Sequence, residues 1–250
     1  MNPPDAPSPQ DGIVPDPFPI INARRFLIEL SILIPIVLGI QVLTLYVLYP
    51  ALGISSRSPQ PARTLLILAL ITWLMRRNGE SWRSFGLTTF RPKWLLPILV
   101  LAFLAGQILF HQPIADILRS ELEVPKAIPS YLAHIQGNPA ALAGWIVLAW
   151  TVAAFAEEMI FRGYLLNRIG KILGGGNAAW TTAVIVQAAI FGLLHGYLGS
   201  GAVVTIGFKA LFSGAFYLLC RRNLWPLILA HGIWDTLGFI LVYLSGSPST

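Results

Sequence analysis

Residues 157–162 read Glu-Glu-Met-Ile-Phe-Arg and place three ionisable side chains directly after residues 142–156, which carry no charge. Glu158 and Arg162 are four positions apart, so on a helix they share one face, with the acid on the favourable N-terminal side. Glu157 lies about 100° around the helix from Glu158 and has no basic residue three or four positions away. We therefore predict that Glu157 acts as a general base, whereas Glu158 and Arg162 pair and position it.

Two further polar groups interrupt later apolar segments. His195 stands in Phe-Gly-Leu-Leu-His-Gly, between Gly192 and Gly196, which would let another helix or a substrate approach closely. His231 and Asp235 are four positions apart and should point at one spot. Ionisable groups inside a membrane are costly and usually mark function.

The two Glu, two His and one Asp among these side chains allow two kinds of hydrolysis. In the first, Glu157 with His195 deprotonates a water that attacks a carbonyl, and His231 with Asp235 stabilises the oxyanion. Asp235 could donate a hydrogen bond only when protonated, and when ionised it would orient His231 instead. In the second, His195, His231 and a carboxylate hold Zn²⁺, which activates the water, although the usual His-Glu-x-x-His helix is absent.

Other chemistry has less support in the sequence. No Ser or Cys accompanies a His–Asp constellation, which argues against nucleophilic catalysis. Cys220 is the only cysteine, so neither an internal disulfide nor a cysteine zinc site can form. The structural alternative is a salt bridge where a helix leaves the membrane, together with histidines that only hydrogen-bond between helices.

The composition identifies the setting of these groups. Of the 250 residues, 55% are hydrophobic and 11% are charged, whereas soluble domains carry about 25% charged residues. This composition indicates a polytopic membrane protein, so the net charge of +6 is not read as a nucleic-acid signal.

Apolar segments of helical length predict the fold. We expect an all-α polytopic membrane bundle of about seven transmembrane helices, the second of which is short for a span. The predicted segments are 26–49, 62–75, 94–111, 140–173, 178–196, 202–220 and 224–245. Residues 1–22 are predicted to be a disordered tail rich in Pro and Asp, residues 112–138 a surface loop with one short amphipathic helix, and residues 23–250 a single transmembrane domain.

Basic residues predict the orientation of the seven spans. Under the positive-inside rule the side with more Lys and Arg is cytoplasmic, which puts the N-terminus in the cytoplasm of a multi-pass protein of the cell membrane. The cytoplasmic set is Arg24, Arg25, Arg76, Arg77, Arg83, Arg91, Lys93, Arg162, Arg168, Lys171, Arg221 and Arg222. The opposite set is Arg57, Arg63, Arg119 and Lys126, and Lys209 falls within a span.

The three polar motifs resemble those of one family. Glu-Glu-Met-Ile-Phe-Arg fits E-E-x-x-x-R, Phe-Gly-Leu-Leu-His fits F-x-x-x-H, and His-Gly-Ile-Trp-Asp fits H-x-x-x-N/D. In this order they resemble the CPBP family of intramembrane proteases, also called the CAAX prenyl protease 2 or Abi family, with a protease core at about residues 80–245. The resemblance implies a glutamate-type endopeptidase without a cofactor, although the family was long described as metal-dependent.

Carried onto this chain, the resemblance implies residue roles. Glu157 is the base with His195 beside it, His231 and Asp235 form the oxyanion site, and Glu158 with Arg162 supports them. Eukaryotic prenyl proteases have Asn at the position of Asp235. Asp235 departs from that pattern, and it could donate a hydrogen bond to the oxyanion only when protonated.

We therefore expect hydrolysis of a peptide or protein substrate near the cytoplasmic face, with the lipid bilayer as the other partner and no nucleic acid. A non-catalytic immunity or scaffold protein and a proton-coupled transporter remain alternatives. A simple depth count places His195 about 26 Å along its helix and His231 about 10 Å along its own. Their meeting requires that the fifth helix begins well outside the bilayer or that the helices tilt or break at their glycines.

Overall fold

The computed structural model describes residues 23–54, 61–122 and 130–245, and all the regular secondary structure in these ranges is helical. This confirms the prediction of an all-α polytopic bundle. The seven long helices are α1 (Ala23–Ala51), α2 (Pro61–Arg77), α3 (Leu95–Glu121), α4 (Pro139–Ile172), α5 (Asn177–Leu194), α6 (Ser200–Leu219) and α7 (Trp225–Leu244). Short 3₁₀ turns occur at Trp82–Phe85, Ser130–Ile135 and Gly196–Leu198. The predicted disordered tail lies outside the described residues.

Six of these helices are long and apolar enough to cross a membrane, and α2, with 17 residues, is not among them. Large apolar side chains cover their outer surfaces: Leu101, Leu109 and Leu241 each expose about two thirds of their area. Such a surface suits contact with lipid rather than water.

The short amphipathic helix predicted within residues 112–138 is present as Gln112–Glu121, but the prediction of a surface loop is wrong there, because this helix is the continuation of α3. Its α-helical ladder is interrupted by a π-helical stretch at Gln107–His111, and Pro113 falls in the first turn of the α-helix that resumes there. Proline is tolerated in a first turn because its missing N–H would have no partner anyway. Of the rest of the predicted loop, residues 123–129 lie outside the described residues, and Ser130–Ile135 forms a 3₁₀ turn.

Helix α4 is a continuous helix of 34 residues, as its sequence pattern predicted. Two stretches, Ala149–Glu157 and Met159–Leu166, are π-helical, a distortion that is frequent at functional sites. The motif from Glu157 to Arg162 lies where these two stretches meet. Its helical turns are therefore wider than the α-helical turns assumed in predicting which side chains share a face.

Helices α5 and α6 approach each other closely at Gly192. A Cβ added there would lie 2.5 Å from the carbonyl oxygen of Val203 and 3.0 Å from Cα of Gly207. A Cβ on Gly196 would meet only Val203 Cγ2, at 3.7 Å. The expectation of close helix approach is thus confirmed for Gly192 and wrong for Gly196, which lies beyond the end of α5.

A buried ion cluster ties α1 to α4. Arg168 is fully buried and donates through Nη2 to Glu29 Oε1 at 3.1 Å and through Nη1 to Glu80 Oε1 at 2.8 Å. Tyr164 donates to the other oxygen of Glu29. Arg162 is also buried in α4. Both arginines pair with carboxylates inside the protein. Including Arg162 and Arg168 among the cytoplasmic charges of the positive-inside rule was therefore wrong.

Candidate active site

The predicted pair of Glu158 and Arg162 forms, and it is buried. Arg162 Nη1 donates to Glu158 Oε1 at 3.1 Å, and both residues are 2% exposed. The same carboxylate oxygen lies 2.9 Å from His231 Nδ1. Glu158 therefore links α4 to α7, a contact across 73 positions that helical spacing alone does not predict.

His231 and Asp235 meet as their spacing predicted. His231 Nε2 lies 3.5 Å from Asp235 Oδ2, so the two ring nitrogens of His231 face different carboxylates. Lys209 Nζ, from α6, lies 4.0 Å from Asp235 Oδ1. Sequence reasoning left Lys209 out, although a lone lysine within an apolar span is itself a signal of function.

Glu157 differs from its neighbour in having no partner. Among the residues that the structure describes, its carboxylate makes no hydrogen bond and no ion pair, and it lines a cavity of about 1050 Å³. This agrees with the prediction that Glu158, and not Glu157, is the carboxylate neutralised by Arg162.

His195 stands at the C-terminal end of α5, where its Nδ1 lies 2.8 Å from the carbonyl oxygen of Phe191. A carbonyl can only accept, so Nδ1 carries the proton and Nε2 keeps a free lone pair. The ring packs against Phe191 and Tyr197, with centroids 4.6 and 5.9 Å away. The Nε2 lone pair of His195 can therefore accept a hydrogen bond from a water or a substrate.

The four residues to which the sequence assigned chemistry line one cavity of about 1050 Å³. They are Glu157, His195, His231 and Asp235. Most of the cavity wall is apolar and comes from α1, α2 and α4. Its other polar wall residues include Arg63, Tyr131, Tyr197 and Lys209, none of which was singled out from the sequence. Arg162 lies behind Glu158, with its guanidinium 4.9 Å from the ring centroid of Phe191.

The donor set does not fit a zinc ion. Within residues 23–54, 61–122 and 130–245, no three His, Cys, Asp or Glu side chains form a group that could hold a metal. His231 already directs both nitrogens at carboxylates, and a cation at Asp235 would compete with the ammonium of Lys209. These side chains are therefore not assigned as zinc ligands.

A comparison with protein families agrees with the three motifs. Residues 139–237 match the family model described as "Type II CAAX prenyl endopeptidase Rce1-like". No curated protein and no solved structure matches the chain. The matched segment runs from the first residue of α4 into α7 and contains every residue to which the sequence assigned a catalytic or supporting role.

Proposed function

Starting from the Rce1-like CAAX endopeptidase family to which residues 139–237 belong, we propose that this chain is a glutamate-type intramembrane endopeptidase. The family is one of membrane peptidases, and the multi-pass helical architecture agrees with it. The proposal concerns the mechanism, the substrate and the face of the membrane.

The convergence of Glu157, His195, His231 and Asp235 on one cavity carries the proposal. A water held between Glu157 and Nε2 of His195 would have an acceptor on each side. In the described part of the chain, neither the Glu157 carboxylate nor His195 Nε2 has another hydrogen-bond partner. A general base of this kind typically contributes about 10²–10⁴ to the rate.

The reaction then needs only residues of this chain. Glu157 takes a proton from the water, whose oxygen attacks the carbonyl carbon of the scissile peptide. The carbonyl becomes an oxyanion, and Glu157 passes the proton to the leaving nitrogen as the C–N bond breaks. Every proton taken from the water is returned to a product.

His231 is the proposed donor to the oxyanion. Glu158 holds its Nδ1–H, and Arg162 holds Glu158, so the ring orientation is set by a buried chain of charge-assisted hydrogen bonds. Nε2 can donate to the oxyanion when the ring carries a proton on each nitrogen. Asp235 orients the ring and is held in turn by Lys209.

We propose a protein substrate that is itself bound to the membrane and is cleaved near the cytoplasmic face. The apolar wall of the cavity suits a hydrophobic or lipid-modified segment. The description of the matched family makes a prenylated peptide ending in a CAAX sequence the first substrate to test.

The test is cleavage by the purified protein in detergent. A farnesylated CAAX peptide, its unmodified counterpart and a labelled peptide library are incubated with the protein, and the products are assigned by mass spectrometry. Cleavage that incorporates one ¹⁸O from labelled water supports the proposal. Proton flux in proteoliposomes without cleavage would indicate a transporter instead, and neither activity would indicate a non-catalytic partner protein.

A further inference from the structure

Arg63 lies in the first turn of α2 and on the wall of the catalytic cavity. Its Nε and Nη1 atoms are shielded from solvent and have no hydrogen-bond partner within residues 23–54, 61–122 and 130–245. Arg162 and Arg168, by contrast, each hold a carboxylate at 3.1 Å or less. Buried donors are normally satisfied, and an unsatisfied one calls for an explanation.

The surroundings of Arg63 indicate which kind of ligand its guanidinium could bind. Its charge interacts with Glu157 and with Tyr197, yet the structure shows no ion pair between Arg63 and Glu157. A planar guanidinium with free donors in a low-dielectric cavity is suited to an anion, and above all to a carboxylate. Peptides differ in their side chains, but every peptide with a free C-terminus carries a carboxylate there. In a cavity that binds a peptide, this is the carboxylate that all such substrates share.

We propose that Arg63 is a specificity-determining residue that binds the C-terminal carboxylate of the peptide substrate. The proposal rests on the proposed peptidase function and deepens it. Because an extended chain advances at most about 3.6 Å per residue, a C-terminus held close to Glu157 places the cleaved bond only a few residues from the end of the chain.

Two other roles for Arg63 make different predictions. If Arg63 only balances the charge of Glu157, its loss would change the pH dependence of cleavage and would not affect the choice between peptides with different C-termini. If its anion is the phosphate of a lipid headgroup, Arg63 would matter for lipid binding and not for the peptide terminus.

The experiment compares two forms of one fluorescent farnesylated peptide, one with a free C-terminal carboxylate and one with a C-terminal carboxamide. Binding is measured by fluorescence anisotropy in detergent, in a Glu157→Gln background so that no peptide is consumed. We expect the acid to bind at least about tenfold more tightly than the amide. Adding Arg63→Gln should make the two affinities equal by weakening the acid alone, and Arg63→Lys should restore part of the preference.

The matched control is Arg76→Gln, which removes an exposed arginine at the other end of the same helix and should leave the preference unchanged. Thermal melting and size-exclusion profiles verify that each variant is folded. Dioleoyl phosphatidylglycerol, added to the micelles as a competitor, tests the lipid alternative.

The proposal is overturned if acid and amide bind equally in the presence of Arg63, if neither binds, or if the preference survives Arg63→Gln. It is also overturned if Arg63→Gln abolishes only the competition by phosphatidylglycerol. Cleavage by the chain with Glu157 intact is measured separately. Its absence would refute the peptidase function, whereas the binding contrast alone decides the role of Arg63.

Discussion

Adjacent glutamates in α4 meet opposite environments. Glu158 is buried and shared between Arg162 and His231, whereas Glu157 faces the cavity without a partner in the described structure. One carboxylate is therefore positioned to hold other groups in place, and the other is available to bind water.

Glu157→Gln should reduce cleavage by about 10²–10⁴-fold, the usual contribution of a general base, and leave the fold intact. Glu158→Gln should instead destabilise the protein by about 3–5 kcal/mol, because it leaves Arg162 buried without its counter-charge. Cleavage assays and thermal melting of the purified variants measure the two effects. The reverse pattern, with Glu158→Gln inactive but stably folded and Glu157→Gln active, would exchange the two roles.

Activity should survive the removal of metal ions. The glutamate mechanism needs no cofactor, and His231 has no nitrogen free of a carboxylate neighbour. The measurement is peptide cleavage after exhaustive treatment with a chelator, with metal content verified by elemental analysis. Activity that disappears and returns with one bound Zn²⁺ per chain would contradict the expectation and make His195 and His231 ligands.

Among the helices, two contacts hold the cavity together. Helices α5 and α6 touch backbone to backbone at Gly192, which sets the position of His195 three residues later. The cluster of Arg168 with Glu29 and Glu80 fastens α1, which supplies much of the apolar wall, to α4.

Gly192→Ala should separate α5 from α6 and reduce activity at least about tenfold, because the new Cβ would lie 2.5 Å from a backbone oxygen that cannot turn away. Gly196→Ala is the matched control, since its Cβ would meet only ordinary van der Waals contact. Cleavage rates and melting temperatures of both variants test this. Equal effects of the two substitutions would show that the close approach is not required.

Arg168→Gln should cost about 3–5 kcal/mol of stability, because it leaves Glu29 and Glu80 without their cation in a buried site. Arg119→Gln breaks a partly exposed pair with Asp116 and should cost no more than about 1 kcal/mol. Unfolding of both variants, followed by circular dichroism in a denaturing detergent, gives the comparison. A loss for Arg168→Gln as small as that for Arg119→Gln would mean that the cluster does not anchor α1.

At the scale of the whole molecule, His195 and His231 line one cavity although they lie at different distances along their helices. His195 lies 18 residues after the start of α5, about 27 Å, whereas His231 lies only six residues after the start of α7, about 9 Å. Gly170 packs against Trp180 where α4 and α5 approach their shared turn. The guanidinium of Arg222, just before α7, lies 4.6 Å from the ring centroid of Trp180. The start of α5 is therefore close to the start of α7, and α5 is 18 residues long.

The orientation of the bundle remains a prediction, and the charge bias persists without Arg162 and Arg168. With seven crossings the N-terminus is cytoplasmic and the C-terminus is on the opposite side. Fusing a reporter that is active only outside the cytoplasm to the C-terminus should give activity, and the same fusion at Asn78 should not. Because α2 is the shortest of the seven helices, an inactive C-terminal fusion would indicate that α2 does not cross.

The sequence by itself determined the features that depend on neighbours along the chain. Apolar runs located the seven helices, and a spacing of four located the pairs Glu158–Arg162 and His231–Asp235. The order of the motifs also indicated the family. These conclusions need only the helical period and the cost of charge in an apolar setting.

Only the tertiary structure decided which helices meet, and in what rotation. The bond from Glu158 to His231, the approach of Lys209 to Asp235 and the position of Arg63 on the cavity wall each join separate helices. The helical period repeats the same face every few residues and therefore does not specify the depth or rotation of one helix against another. Packing at contacts such as Gly192 against Gly207 sets both.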